Sequence, residues 1–200
     1  MGFMTAPFIL FLGKPGSGKG TQAELLATKT GFSLFKTSAQ LRELAEKNVH
    51  LHDKILDAMK NGHLVPSWLV MYLWLKDELE SSDMKGGIID GAVRHEEEAL
   101  LFHDVATWFD RPYVVLFLSV SDEEMKKRIE KRATIENRTD DTKEALMKRM
   151  QEYDEHTQPA ISFFKNKGLF FEVDGEGSIE AIHDRVIKTV HERFPDLSHE

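Results

Sequence analysis

A glycine-rich segment near the N-terminus holds the residues with the clearest chemical potential. The segment Gly13-Lys14-Pro15-Gly16-Ser17-Gly18-Lys19-Gly20-Thr21 follows a short apolar run and precedes an amphipathic one. Glycines let the backbone curl until successive N–H groups and a helix N-terminus converge on one anion, and the ammonium of Lys19 adds a full charge. We therefore expect a phosphate-binding loop. A plain strand-to-helix turn would need fewer glycines and no lysine.

A carboxylate follows another apolar run further along the chain. Asp90 comes directly after Gly87-Ile88-Ile89, which is typical of a strand. If that strand is parallel to the first, Asp90 lies at the sheet edge that carries the loop. Mg²⁺ prefers such oxygen ligands and keeps most of its hydration shell, so we expect Thr21 and Asp90 to place the metal, in part through water. The alternative is that Asp90 caps the next helix.

The elements that must position these residues alternate between short apolar runs and longer amphipathic segments. This alternation predicts an α/β fold: a five-stranded parallel sheet flanked by helices. The predicted strands are Pro7 to Leu12, Phe32 to Phe35, Gly87 to Ile89, Tyr113 to Leu118 and Leu169 to Val173. Several are almost continuously apolar, as expected when both faces of a sheet are covered.

Capping boxes predict where some helices begin, because a side-chain oxygen there satisfies a free backbone N–H. The pairs are Thr37 with Gln40, Ser121 with Glu124, and Asp141 with Glu144, the last opening a long helix toward Phe164. Between the second and third strands, Trp68, Met71, Trp74 and Leu75 recur at helical spacing, and we expect them to pack on the sheet.

Composition limits the class of protein. The 200 residues are 41% hydrophobic and 30% charged, with a formal net charge of −8, which predicts one compact domain and no nucleic-acid or anionic-membrane partner bound through bulk positive charge. Because there is no cysteine, disulfides and thiolate metal sites are excluded, and we expect a cytoplasmic protein. The apolar runs are far shorter than the roughly 20 residues of a membrane-spanning helix.

The loop and a series of residues after it resemble the adenylate kinase family of nucleoside monophosphate kinases. The loop continues into Gln22, giving the family's GKGTQ form, and the resemblance extends over nearly the whole chain. The matching residues occur in the expected order: Thr37 and Arg42, Leu64-Val65-Pro66, Asp90-Gly91 with Arg94, Lys131-Arg132, Arg138 with Asp140-Asp141, Arg149, and Pro159.

The resemblance implies a single P-loop kinase domain over residues 1–200 with two mobile parts. One is a helical monophosphate-binding insert at about 36–65, and the other is a short lid at about 131–141, which lacks the cysteines of a zinc-bearing lid. The implied reaction is reversible and Mg²⁺-dependent: ATP donates its terminal phosphoryl group to a nucleoside monophosphate, above all AMP, giving two ADP. We expect nucleotides to be the only partners and the protein to be a monomer.

The resemblance also assigns site residues. Those for ATP are Gly16, Ser17, Gly18, Lys19, Gly20, Thr21, Arg128, Arg132 and Gly177; those for the monophosphate are Thr37, Arg42, Val65, Gly91, Arg94, Glu98, Arg138 and Arg149. Lys19, Arg94, Arg132, Arg138 and Arg149 are the expected catalytic residues. Physical chemistry supports these roles, since an anionic acceptor needs no general base, and planar guanidinium groups pair with phosphate oxygens and offset their repulsion.

Four departures from the family pattern concern the acceptor base and the loop. They are Ser38-Ala39 for Gly-Asp, Ala92-Val93 for an aromatic-Pro pair, Glu98 for the Gln that contacts adenine, and Lys14. An ionised Glu98 only accepts hydrogen bonds, whereas a protonated one could imitate glutamine against adenine. A carboxylate would instead suit guanine, and Thr37 favours adenine over pyrimidines.

Three alternatives therefore stay open: a kinase that prefers GMP, one that prefers UMP or CMP, and a regulatory module that binds nucleotide with a decayed acceptor site. A GTPase switch is disfavoured, because Asn166-Lys167 is followed by Gly168-Leu169 and not by the guanine motif.

Overall fold

The computed structural model describes residues 6–81, 86–135 and 142–198. Its sheet has five strands: Phe8–Leu12 (β1), Ser33–Lys36 (β2), Gly87–Asp90 (β3), Tyr113–Ser119 (β4) and Phe170–Asp174 (β5). All pairings are parallel, and the strand order across the sheet is β2-β3-β1-β4-β5. The predicted α/β class is confirmed, and each predicted strand is found with ends that differ by one residue at most.

Helices connect the strands and cover both faces of the sheet. Their bounds are Lys19–Thr30 (α1), Thr37–Lys47 (α2), Val49–Lys60 (α3), Ser67–Glu80 (α4), Glu96–Trp108 (α5), Asp122–Ile135 (α6), Lys143–Glu152 (α7), Gln158–Asn166 (α8) and Ile179–Arg193 (α9). A π-helical turn, Tyr153–Thr157, joins α7 to α8, and a 3₁₀ turn, Pro195–Ser198, follows α9. The long helix predicted toward Phe164 is therefore interrupted by a π turn.

The predicted helix caps had different outcomes. The hydroxyl of Ser121 accepts a hydrogen bond from the backbone N–H of Glu124, 3.3 Å away, as expected. The prediction for Thr37 was wrong, because β2 runs directly into α2 and Thr37 is the first residue of that helix, with its side chain turned into the interior. The helix predicted to open at Asp141, which lies outside the described residues, is capped by Thr142.

Strand β1 shows why the strands read as continuous apolar runs. Its side chains alternate between two hydrophobic clusters: Phe8, Leu10 and Leu12 belong to the cluster under α4, α5 and α8, and Ile9 and Phe11 to the cluster under α1 and α9. Both faces of the strand are thus buried, so its sequence is apolar at every position and does not alternate between apolar and polar residues.

Trp74 lies at the centre of the first cluster. Its ring centroid is 5.9 Å from that of Phe8 and 4.9 Å from that of Phe102, and only 2% of its surface is exposed. Met71 is buried beside it, but Trp68 is 66% exposed, so the prediction that Trp68 packs on the sheet was wrong. Trp68 is six residues before Trp74, a rotation of about 240° around the helix, which turns it away from the sheet.

The parallel arrangement brings the carboxyl ends of all five strands to one edge of the sheet. The segments that follow β1, β2, β3, β4 and β5 therefore meet there, as in other open α/β sheets whose ligands bind at this edge. In the part of the chain that the structure describes, no helix is long and apolar enough to cross a membrane.

The contrast between the two tryptophans predicts a difference in stability. Trp74→Ala should lower the free energy of unfolding by about 3–5 kcal/mol, because it removes a buried ring and leaves a cavity. Trp68→Ala, in the same helix, should change it by less than about 0.5 kcal/mol. Urea denaturation followed by circular dichroism measures both, and equal losses would contradict the assignment of Trp74 to the core.

Candidate functional site

The glycine-rich loop joins β1 to α1 in a conformation that ordinary residues would not adopt. Gly18, at the N-cap of α1, has a left-handed φ of +93°. Gly13 has a φ of +146°, and a Cβ on it would lie 2.7 Å from the carbonyl oxygen of Leu118 in β4. The loop thus lies tightly against the sheet edge, and the free N–H groups at the start of α1 face the cleft described below.

The two lysines of the loop have different surroundings. The ammonium of Lys19 donates to the carbonyl oxygens of Gly13 at 2.8 Å and Lys14 at 2.9 Å, which keeps it at the mouth of the loop. The ammonium of Lys14 pairs with the carboxylate of Asp122, 2.8 Å away. The extra charge at position 14 is therefore offset by a neighbouring acid.

Arg128 connects the loop to the segment after β5. Its Nη1 donates to the Ser17 carbonyl at 3.3 Å and its Nη2 to the Gly175 carbonyl at 2.8 Å. Glu124, one helical turn earlier, accepts from its Nε at 2.7 Å and fixes the guanidinium. Sequence reasoning did not select Glu124, although its i, i+4 spacing from Arg128 was a usable signal.

The segment after β5 forms the other side of this region. Gly177 lies there with a φ of +101°, and Ser178 and Ile179 follow at the start of α9. The amide of Gln22 in α1 donates to the Ile179 carbonyl at 3.0 Å, so the loop helix and α9 are held together. Ile179 and Ile182 supply apolar surface to the cleft. Sequence reasoning missed these residues, because their pattern is that of any amphipathic helix.

Asp90 and Thr21 both line the cleft beside the start of α1. The Asp90 carboxylate lies 3.2 Å from the position that a Cβ on Gly20 would occupy, so a side chain there would crowd the acid. This contact accounts for the glycine that separates Lys19 from the hydroxyl of Thr21. Asp90 does not cap the next helix, since the N-cap of α5 is His95. A hydroxyl and a carboxylate on one wall are ligand types that suit Mg²⁺.

The opposite wall of the cleft is formed by β3, α2 and the segment before α4. Arg42 extends from α2, where its Nη1 donates to the Ser38 carbonyl at 3.4 Å. Thr37 is buried at the start of the same helix, and among the described residues its Oγ1 is the one buried side-chain polar atom without a hydrogen-bond partner. Buried hydroxyls are nearly always paired, so this atom indicates a contact that a ligand would complete.

Two guanidinium groups meet at this wall. Burial lowers the pKa of Arg94, the carboxylates of Asp90 and Glu98 raise it, and the charge of Arg149 lowers it. Arg94 and Arg149 are therefore close enough to repel one another, although both stay charged at any ordinary pH. Like charges that converge in a cleft indicate an anion site, since a phosphate between them would turn repulsion into attraction.

Glu98 lies behind Arg94 in the first turn of α5 and is 2% exposed. Burial raises the pKa of its carboxyl group, while hydrogen bonds from the Arg94 backbone and the Ser67 side chain, together with the charges of His95 and Arg94, lower it. Its Oε2 accepts from the Arg94 N–H at 2.7 Å. Sequence reasoning selected Glu98 but missed Ser67, which faces it from the start of α4.

The predicted insert contains α2 and α3, and the end of α3 with the turn that follows it contacts α7. Arg149 Nη2 donates to the Met59 carbonyl at 3.3 Å, and His63 Nδ1 is 3.1 Å from a carboxylate oxygen of Glu152. Gly62 has a φ of +76°, and a Cβ on it would lie 2.2 Å from the Ala145 carbonyl oxygen. The backbone at Gly62 therefore lies directly against α7.

Both walls enclose one continuous cleft of about 810 Å³. Most of the predicted site residues line it: Gly16, Gly18, Lys19, Gly20, Thr21, Thr37, Arg42, Val65, Asp90, Gly91, Arg94, Glu98, Arg128, Arg149 and Gly177. Ser17 is fully buried beneath the loop. Arg138 lies outside the described residues, and Arg132 belongs to the end of α6, where the structure describes the backbone alone. Residues that sequence reasoning did not assign to the site also line it, including Lys36, His63, His95, Tyr153 and Thr157.

Comparison with known proteins identifies the family. Residues 11–169 match the family model described as adenylate kinase. Adenylate kinase of Thermus thermophilus is 32% identical over 178 residues, covering 89% of this chain and 94% of that protein. Adenylate kinase isoenzyme 1 of Oryctolagus cuniculus is 32% identical over 183 residues, covering 90% and 92%. A probable UMP-CMP kinase 2 of Arabidopsis thaliana is 34% identical over 197 residues, covering 97% and 74%.

The geometry and the comparisons agree: a phosphate loop and a second cationic wall share one cleft, and the match covers most of the chain. The chain therefore belongs to the adenylate kinase family and is a nucleoside monophosphate kinase.

Proposed function

We propose that this kinase transfers the terminal phosphoryl group of ATP to AMP in a Mg²⁺-dependent reaction that yields two ADP. The observation that carries the proposal is the single cleft, in which the loop around Lys19 faces the guanidinium groups of Arg94 and Arg149. Because one chain contains both walls, we also propose that it works as a monomer.

The donor lies along the loop side of the cleft in this proposal. The N–H groups of Gly16 to Thr21 and the Lys19 ammonium bind the ATP phosphates, and Arg128 lies over them with Gly177 nearby. The Lys19 ammonium donates to the carbonyl oxygens of Gly13 and Lys14 and to the Ser17 hydroxyl oxygen, contacts that hold its charge at the mouth of the loop, beside the phosphates of the donor.

The acceptor lies on the opposite wall. Arg42, Arg94 and Arg149 bind the monophosphate, with Gly91 and Val65 shaping the space around it. Its phosphate oxygen is already an anion, so attack on the terminal phosphoryl group requires alignment and charge stabilisation but no general base. Arg94 and Arg149 supply that charge from a partly buried position, where it acts more strongly than in water.

Closure completes the site. We propose that residues 36–65 act as a monophosphate-binding insert and residues 131–141 as a lid that brings Arg132 and Arg138 over the transferring group. Each added guanidinium stabilises the negative charge that spreads over the phosphoryl oxygens in the transition state. Closure also excludes water, which would otherwise accept the phosphoryl group.

Thr21 and Asp90 would hold Mg²⁺, directly or through water. A magnesium ion held there would supply positive charge that offsets the negative charge developing on the donor phosphates. The contact between Asp90 and Gly20 supports this role, since it keeps the acid beside the helix that carries the loop.

Two observations support AMP as the preferred acceptor. The unpartnered Thr37 hydroxyl lies in the acceptor wall, where it could pair with a base edge. Burial raises the pKa of Glu98, which favours the protonated form that can both donate and accept, as a glutamine does against adenine. A second candidate is a pyrimidine monophosphate, favoured by the likeness to the Arabidopsis UMP-CMP kinase. A carboxylate that stayed ionised would favour GMP.

The role of Lys19 can be tested against its neighbour in the loop. Lys19→Ala should lower kcat about a thousandfold, because the charge at the donor phosphates is lost in a site built to stabilise it. Lys14→Ala, which removes an exposed ion pair, should change kcat by less than about threefold. Coupled assays of ADP production measure both variants, and near-normal turnover by Lys19→Ala would contradict the donor site.

The metal site can be tested in the same assay. Asp90→Asn should raise the Mg²⁺ concentration that gives half-maximal rate by about tenfold or more, because an amide is a weaker Mg²⁺ ligand than a carboxylate. Asp122→Asn, which changes an exposed acid near the loop, is the matched control and should not shift the Mg²⁺ titration. An unchanged titration for Asp90→Asn would remove this residue from the metal site.

Acceptor preference can be tested with AMP, GMP, CMP and UMP. We expect kcat/KM to favour AMP by about tenfold or more. If protonated Glu98 reads adenine, KM for AMP rises as pH increases through the raised pKa of Glu98, since the proton is then lost; Glu98→Gln removes that rise. The remaining pH dependence is common to both enzymes. If the wild type prefers GMP, or CMP and UMP, the proposal of AMP as the preferred acceptor is wrong.

A further inference from the structure

The turn between β3 and α5 has an unusual backbone. Within it, Val93 has a φ of +61°, in the left-handed region, and is 1% exposed. A β-branched side chain is strongly disfavoured there, and such strain persists only where surrounding contacts hold it. Ala92 and Val93 belong to the first hydrophobic cluster, so the strained residue and the residue before it are both packed in the core.

A specific hydrogen bond holds the far side of this turn. The backbone N–H of Arg94, directly after Val93, donates to Oε2 of the buried Glu98 at 2.7 Å. The Ser67 side chain, at the start of α4, hydrogen-bonds the same carboxyl group. Glu98 therefore connects the strained turn to two helices, α4 and its own α5.

The turn determines where the Arg94 guanidinium lies. Its Nη2 is 3.2 Å from the position that a Cβ on Gly91 would occupy, and the Thr37 Cβ is 3.6 Å from that position. Arg94 thus folds back over Gly91, beside Thr37 and within electrostatic range of Asp90 and Arg149. If Val93 relaxed to a negative φ, the direction of the chain at Arg94 would change, and the guanidinium would leave this position.

We propose that Glu98 is a positioning residue: it holds the left-handed turn at Val93, and through it the Arg94 guanidinium, in place for the acceptor phosphate of any nucleoside monophosphate. This inference rests on the proposed function, because it assumes that Arg94 binds that phosphate. It assigns Glu98 a role that does not depend on the base, beside the base contact considered above.

The two roles predict different patterns across acceptors. A residue that reads the base changes the ratio of kcat/KM between AMP, GMP, CMP and UMP. A residue that positions Arg94 lowers kcat/KM for all of them by the same factor. Glu98→Gln retains an oxygen that can accept from the Arg94 N–H, whereas Glu98→Ala removes the hydrogen bond.

The experiment measures kcat and KM for each monophosphate at saturating ATP, and KM for ATP, in the wild type, Glu98→Ala, Glu98→Gln and the exposed control Glu97→Ala. We expect Glu98→Ala to lose about a hundredfold in kcat/KM for every acceptor the wild type uses, because a displacement of the Arg94 guanidinium by about 1 Å lowers the rate by about that factor. The KM for ATP should not change. We expect Glu98→Gln to recover most of that uniform loss, and Glu97→Ala to behave as the wild type. Thermal denaturation must show each variant folded at the assay temperature.

A loss confined to one base, or an equal uniform loss in Glu98→Ala and Glu98→Gln, would overturn the positioning role. Failure of the proposed function is distinguishable, because the wild type would then phosphorylate none of the acceptors.

A second variant tests the strain directly. In Val93→Gly the left-handed conformation carries no steric strain, because glycine adopts positive φ as readily as negative φ. The turn then needs no hydrogen bond to Glu98 to stay in this conformation. Adding Glu98→Ala to Val93→Gly should therefore lower kcat/KM by a clearly smaller factor than adding it to the wild type. Equal factors in the two backgrounds would show that the turn does not depend on Glu98. The comparison is within one background each time, so any loss of stability from Val93→Gly alone cancels.

Discussion

Mutual repulsion among the charges of the cleft is the constraint on which the rest of this structure depends. Two polyanions must meet, and the cations that attract them also repel one another, as Arg94 and Arg149 do. Oxygen atoms fixed by the fold reduce this repulsion. Backbone carbonyls accept hydrogen bonds from Lys19, Arg128 and Arg149. The carboxylates of Asp90 and Glu98 lie beside Arg94. These contacts orient each cation toward the cleft, and for Arg128 the carboxylate of Glu124 adds to them. A chain of net charge −8 can thus line one cleft with several lysine and arginine side chains.

The parallel sheet makes this arrangement possible, and it was the most predictable part of the molecule. Buried strands such as β1 and β4 are almost continuously apolar, so their positions follow from runs of apolar residues in the sequence. Helix ends were less predictable. A hydroxyl before a helix, such as that of Thr37, caps it only if the backbone turns at that residue, and the path of β2 into α2 decides this. The π turn before α8 has no comparable sequence signal.

The residues of the site also differ in how far the sequence could predict them. The loop, Asp90, Arg94 and Arg149 could be selected from the sequence, because glycines, lysine, arginine and a carboxylate at this spacing are the residue types whose own chemistry suits phosphate or Mg²⁺. Residues that act through a neighbour were missed. Ser67 and Glu152 contact their partners across helix packing that no local pattern encodes, whereas Glu124 contacts Arg128 within one helix, at a spacing that the sequence does show. The left-handed conformation of Val93 also escaped prediction, since β-branched residues are expected in extended backbone. Arg132 and Arg138 stay predictions.

The contact between Gly62 and α7 has a consequence for how sequence change acts on this enzyme. The backbone there leaves no room for even a methyl group, so the separation of α3 from α7 is set by main-chain thickness. A larger residue at this point would push the two helices apart and disturb the hydrogen bond from Arg149 to the Met59 carbonyl, while the hydrophobic core beneath the sheet stayed intact. Catalytic loss without unfolding can thus originate at a residue that carries no functional group at all.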